Sequence, residues 1–77
     1  MEIFLREYGE TLSFDRVKRQ FVVYGKDRAE RLRIPVNRVN YIKITSGNKL
    51  SSNALFWAST YGIDVMMLSL EFGEGLP

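Results

Sequence analysis

Residues 45–62 read TSGNKLSSNALFWASTYG and lie between two apolar runs, VNYIKI (39–44) and IDVMML (63–68). The fold turns on whether this stretch is a phosphate-gripping loop or the cap of a structural helix. A nucleotide-binding P-loop needs two glycines and an adjacent Gly-Lys-Ser/Thr. Here Asn48 separates Gly47 from Lys49, and the place of the first glycine, near position 42, is held by Ile. The helix reading fits better. Ser51 is a good N-cap, because its hydroxyl can satisfy a free amide of the first turn. Leu50 and Leu55 stand where a hydrophobic staple closes. Ala54, Leu55, Ala58 and Tyr61 recur at helical spacing, and Gly62 suits a left-handed terminus. The spacing predicts a helix over about 51–61.

A strand, a helix of this length and a second strand form a crossover unit, whose strands run parallel with a right-handed connection. The first half of the chain, by contrast, alternates with period two. EIFLREY and TLSF, around Gly9, read as a β-hairpin over residues 2–14. QFVVYG is rich in β-branched and aromatic residues, as strands are. In ERLRIPV, Leu32, Ile34 and Val36 are expected inward and Arg31 and Arg33 outward; Pro35 places that strand at an edge or ends it. VNYIKIT carries apolar residues on both faces, which predicts cover on both sides. EFGEGLP reads as a short strand running into a punctuated tail. The expected fold class is α+β, mostly β: antiparallel hairpins forming a small β-sandwich or roll with one crossover helix.

Seventy-seven residues, 45% of them hydrophobic, make one domain with a real core. Cys and His are both absent, which removes disulfides, thiolate sites and the commonest general base. The nine carboxylates are scattered over turns and strand ends, so neither a nucleophile–base pair nor a metal site is evident. No apolar run is long enough to span a membrane and no signal-peptide pattern is present, so a cytoplasmic location is expected and no membrane partner.

Charge is unevenly placed. Residues 16–49 hold ten basic side chains and two acidic ones; the flanks hold one Arg against seven carboxylates. One basic face points to a polyanion such as nucleic acid, although cations on strand edges also discourage aggregation. Phe14, Phe21 and Phe56 are read as core, and Trp57 as core or interface. Tyr8, beside Gly9 and Arg6 at the expected hairpin tip, is read as turn packing or a stacking platform.

The run from Arg33 to Leu68, with IPV, a Val-led strand, SG, LSSNAL and YGIDV in that order, resembles the N-terminal domain of the CRISPR-associated integrase, the universal spacer-acquisition nuclease. Tyr8-Gly9 and FVVYG extend the likeness over nearly the whole chain. The resemblance implies a single N-terminal β-rich domain over 1–77, with the helical catalytic domain, its Glu, His and Asp ligands and its divalent metal (Mg or Mn) absent. The fragment is then expected to be inactive alone. It is expected to form a homodimer, to hold duplex DNA and to work with the family's small partner nuclease. Tyr8 matches a tyrosine that caps the duplex end in some relatives. Arg6, Arg16, Lys18, Arg19, Arg31, Arg33, Arg38 and Lys49 are the candidate phosphate contacts, Arg31 and Arg33 first. Two alternatives stand beside it: a stand-alone single-strand-binding β-module stacking bases on Tyr24 and Tyr41, and a protein-interaction module using a strand edge and Trp57.

Overall fold

Ser51 does open a helix. In the computed structural model, which describes residues 1–68, the Ser51 backbone is extended and its hydroxyl accepts a hydrogen bond from the Ala54 N–H at 3.0 Å. The helix α1 (Ser52–Thr60) follows. It ends on Gly62, at φ +69°. The Gly62 N–H donates to the Ser59 carbonyl and the Ile63 N–H to the Ala58 carbonyl, at 3.1 and 2.8 Å. This pair of bonds satisfies carbonyls that a helix end otherwise leaves free. Ala54 and Ala58, four residues apart on one face, are fully buried, and α1 packs on two of the strands, β2 (Thr11–Asp15) and β7 (Asp64–Leu68).

The flanking strands, β5 (Tyr41–Thr45) and β7, pair in parallel, Tyr41 opposite Asp64 through Thr45 opposite Leu68. The predicted crossover is therefore present. On the other side of β5 lies β1 (Glu2–Leu5), also parallel, with Ile3 opposite Ile42 and Leu5 opposite Ile44. The second sheet has the order β4-β3-β2-β6, in which β3 is Gln20–Tyr24, β4 is Glu30–Pro35 and β6 is the two-residue strand Lys49–Leu50. A 3₁₀ turn at Val36–Arg38 joins β4 to β5. Ile3, Leu5, Ile42 and Ile44 from one sheet meet Leu12, Phe14, Phe21, Val23 and Ile34 from the other in a single core. The fold class is α+β, mostly β.

Five expectations need correction. Residues 2–14 are not a hairpin: β1 joins the parallel sheet, and β2 pairs with β3 in the other. Alternation shows which side chains face inward, and Ile3, Leu5, Leu12 and Phe14 all do. The same pattern serves two strands paired side by side or facing each other across a core. Leu32 is 48% exposed although Ile34 and Val36 are buried. The β3–β4 register shifts beside Val23 and Tyr24, leaving Arg31 as the extra residue of a bulge on this edge strand. Only one face of β5 meets the core: on the other, Tyr41 and Lys43 are half-buried beside the exposed Phe4 and Met66. Phe56 is not core but 61% exposed. Leu50 enters the second sheet opposite Leu12 while Leu55 stands half exposed, so the expected staple gives way to a strand. The strand expected in EFGEGLP lies outside the described residues.

Candidate nucleic-acid interface

The loop that raised the phosphate question is a seat for Tyr8. Asn48 fastens it. Its Oδ1 accepts from the Glu10 N–H at 2.8 Å, and its Nδ2 donates to the Leu5 carbonyl and the Thr45 hydroxyl, each at 3.0 Å. Thr45, itself buried, donates to the same Leu5 carbonyl. Backbone bonds from Gly9 N–H to the Gly47 carbonyl and from Lys49 N–H to the Glu10 carbonyl complete the clasp between residues 5–10 and 45–49. Gly47 has φ +91°, and a Cβ there would stand 2.6 Å from Cδ1 of Tyr8. The phenol ring therefore rests on bare backbone, 73% exposed. Only glycine combines that φ with that clearance.

Antiparallel pairing then brings a second turn to the same place. Thr11 pairs with Tyr24, so Gly25 and the Lys26–Ala29 turn stand beside the Tyr8 loop. Gly9 lies under the methylenes of Lys26, whose Nζ is 5.7 Å from the Tyr8 ring centroid. The turn is self-supporting: Arg28 N–H donates to the Gly25 carbonyl, Gly25 N–H to the Ala29 carbonyl, and Asp27 accepts from the Ala29 N–H. The result is a groove of about 630 Å³ lined by Tyr8, Tyr24, Lys26, Arg28 and Lys49 over glycine backbone, with no carboxylate in its lining. Two aromatic rings among three cations can stack bases and neutralise phosphates.

The other predicted cations are dispersed. Arg31 crosses the backbone at Gly25 and lies 3.9 Å from a Glu7 carboxylate oxygen. Arg33 is tied down: its Nε donates to Glu30 at 2.7 Å, and its Nη1 to Asp15 at 3.0 Å and Gln20 at 3.2 Å. The bonds to Glu30 and Asp15 raise its pKa further. Arg6 lies over Phe4, and Arg38 is exposed on the 3₁₀ turn. Arg16, Lys18 and Arg19 occupy the β2–β3 turn, at the far end of those strands from Tyr24. Of the two platforms in the single-strand reading, Tyr24 lines the groove, whereas Tyr41 sits on the parallel sheet with its hydroxyl on Met66 Sδ. Lys26 and Arg28 are not among the residues singled out from the sequence. The signal available was Gly25 directly after a strand that pairs with the one following Tyr8.

Asp15 joins two roles. It accepts from the Val17 and Lys18 amides of its turn and from Arg33. The Lys18 amide bond first, and the Arg33 bond next, hold its carboxyl below the ordinary value of 3.8. A lowered folded pKa means a contribution that is present above the ordinary carboxylate value and is lost as pH falls through the folded one. The melting temperature should therefore fall on acidification from about pH 5 to about pH 2, and fall less steeply in Asp15→Asn. Parallel curves for the two proteins would remove Asp15 from the acid response.

Among the described residues, no group of three or more His, Cys, Asp or Glu side chains is placed to hold a metal ion. No helix among them is long and apolar enough to cross a membrane.

No family model and no curated protein sequence matches the chain. Its architecture does have a counterpart. A chain in a solved structure titled Cas6-RT-Cas1–Cas2 complex superposes on 90% of this chain with a TM-score of 0.79. The two are 12% identical, and the match spans 7% of that longer chain. At that identity the likeness shows the fold alone.

Proposed function

We propose that this chain is the N-terminal β-domain of a CRISPR-associated spacer-acquisition integrase of the cytoplasm, in which it holds duplex DNA and contributes to a homodimer. The observation that carries the reading is the carboxylate-free groove at Tyr8. The shared architecture with a chain of the Cas6-RT-Cas1–Cas2 complex supports it, as does the ordered set of sequence elements from Arg33 to Leu68. Tyr8 stacks on the terminal base pair, and Lys26, Arg28 and Lys49 meet the phosphates beside it. Such contacts position a duplex and carry little sequence information. Cleavage and strand transfer belong to a metal-bearing helical domain, so this chain alone performs no chemistry. The small partner nuclease joins the assembly through the whole protein.

The test compares linear and closed circular duplex as competitors for a labelled blunt duplex, by fluorescence anisotropy at low salt. Linear DNA should compete better, and Tyr8→Ala should erase that preference while preserving the salt dependence. Sedimentation of the same samples reads the dimer. Equal competition by circles sinks the end-capping role. Tyr24 in the same groove favours one second reading, single-strand binding. That reading prevails if an unpaired oligonucleotide outcompetes duplex and Tyr24→Ala weakens it most.

A further inference from the structure

The helix α1 contains no charged residue at all. A helix on the surface of a domain ordinarily carries charges opposite its buried stripe. Here the buried positions are only Ala54 and Ala58, while Leu55, Phe56 and Tyr61 are 50%, 61% and 42% exposed. Exposed Ser52 and Ser59 flank these large side chains, so a second element can approach closely. An uncharged, apolar face of this kind marks an interaction surface.

Its neighbour gives the sign of the partner. Arg19, at φ +58°, lays its guanidinium 5.2 Å from the Trp57 ring centroid and donates to the Tyr61 hydroxyl. This fixes the β2–β3 turn against the helix, and with it the exposed Arg16 and Lys18. Neither of those two enters an ion pair among the described residues. The turn's own carboxylate, Asp15, is already taken by the Val17 and Lys18 amides and by Arg33. Among the described residues, the surface is thus apolar at its centre and basic, without paired carboxylates, at one rim.

We infer that this face docks an acidic amphipathic helix of a partner protein, whose apolar side chains seat on Leu55 and Phe56 and whose carboxylates pair with Arg16 and Lys18. Nucleic acid suits it less well. Of its rings, Tyr61 is bound through its hydroxyl to Arg19 and Trp57 is stacked on Phe14 at 5.3 Å and overlaid by Arg19, which leaves Phe56 to take a base, while Leu55 beside it offers no ring. The inference is independent of the groove at Tyr8, which lies at the other end of β2 and β3.

The probe is a capped 18-residue synthetic helix with a leucine stripe and glutamates elsewhere, beside a twin bearing lysines. Both are titrated into the ¹⁵N-labelled chain. The Glu peptide should shift the amides of residues 16–19 and 55–61, and the Lys peptide should not. Leu55→Ser with Phe56→Ser should weaken the Glu peptide about tenfold or more, as expected for a central apolar anchor. Arg16→Glu with Lys18→Glu should exchange the preference, so that the Lys peptide now binds. All four positions are exposed, and an otherwise unchanged spectrum certifies the fold of each variant. The inference is overturned if the Glu peptide shifts other residues or none. It is equally overturned if these amides respond instead to a DNA oligonucleotide or to the chain's own concentration, which would assign the face to nucleic acid or to a second copy.

Discussion

Asn48→Ala should destabilise the domain by about 2–4 kcal/mol. The side chain makes three hydrogen bonds, to residues 3, 38 and 43 positions away. Such a bond typically contributes about 1 kcal/mol net and a half-buried group left without a partner costs about 1–3 kcal/mol, so the lost Glu10 bond alone accounts for about 2–4 kcal/mol. The Leu5 carbonyl keeps the Thr45 hydroxyl as a donor, but the Glu10 N–H loses its acceptor. For a domain of this size about 1 kcal/mol moves the melting temperature by roughly 4–8 °C. A fall of roughly 10–25 °C is expected in a calorimetric scan. Asn48→Asp separates the two halves of the amide. Its carboxylate can still accept from Glu10 but cannot donate to Leu5, so it should also destabilise. Lys49→Gln, one residue away and exposed, should change stability by no more than about 0.5 kcal/mol. If Asn48→Ala melted with the unmodified chain, the clasp between the Tyr8 loop and residues 45–49 would not exist as described.

That clasp also shows where reading the sequence stops. Ser51, Gly62 and the alanine spacing are local signals, because the cap is decided by residues within a turn of it. They placed the helix and the crossover correctly. Alternation in EIFLREY and TLSF was read as strand for an equally local reason, and both stretches hold strands. It carried no information on pairing partners. The sequence therefore suggested a hairpin over 2–14 where the chain passes from one sheet to the other, and it missed β6 entirely. In the site, Tyr8 and Lys49 were named and do share the groove. Arg33 was correctly read as facing away from the core. Nothing local shows that Asp15, eighteen residues earlier, waits beside it. Lys26 and Arg28 went unnoticed because a charged turn is the ordinary case; their meaning comes from the Thr11–Tyr24 pairing.

The groove reading makes the largest demand on binding. Replacing Lys26, Arg28 and Lys49 together by Gln should weaken duplex binding by about 10²-fold near 0.1 M salt. It should also flatten the slope of log affinity against log salt by roughly 2.7, at about 0.9 per neutralised phosphate. The fold should survive, since all three side chains are exposed and none forms an ion pair among the described residues. A second triple, Arg16→Gln with Lys18→Gln and Arg38→Gln, removes the same charge from outside the groove and is expected to change the slope by less than about 1. Arg33→Gln is expected to leave the slope alone and lower stability instead, because its guanidinium is committed to Glu30 and Asp15. Equal losses in the two triples would mean that the duplex is held by the diffuse field of all the cations. In that case Tyr8 and its glycine seat would have no privileged place in the interface. A slope that changes only in the groove triple fixes the phosphate path beside Tyr8, where a stacked terminal base pair would need it.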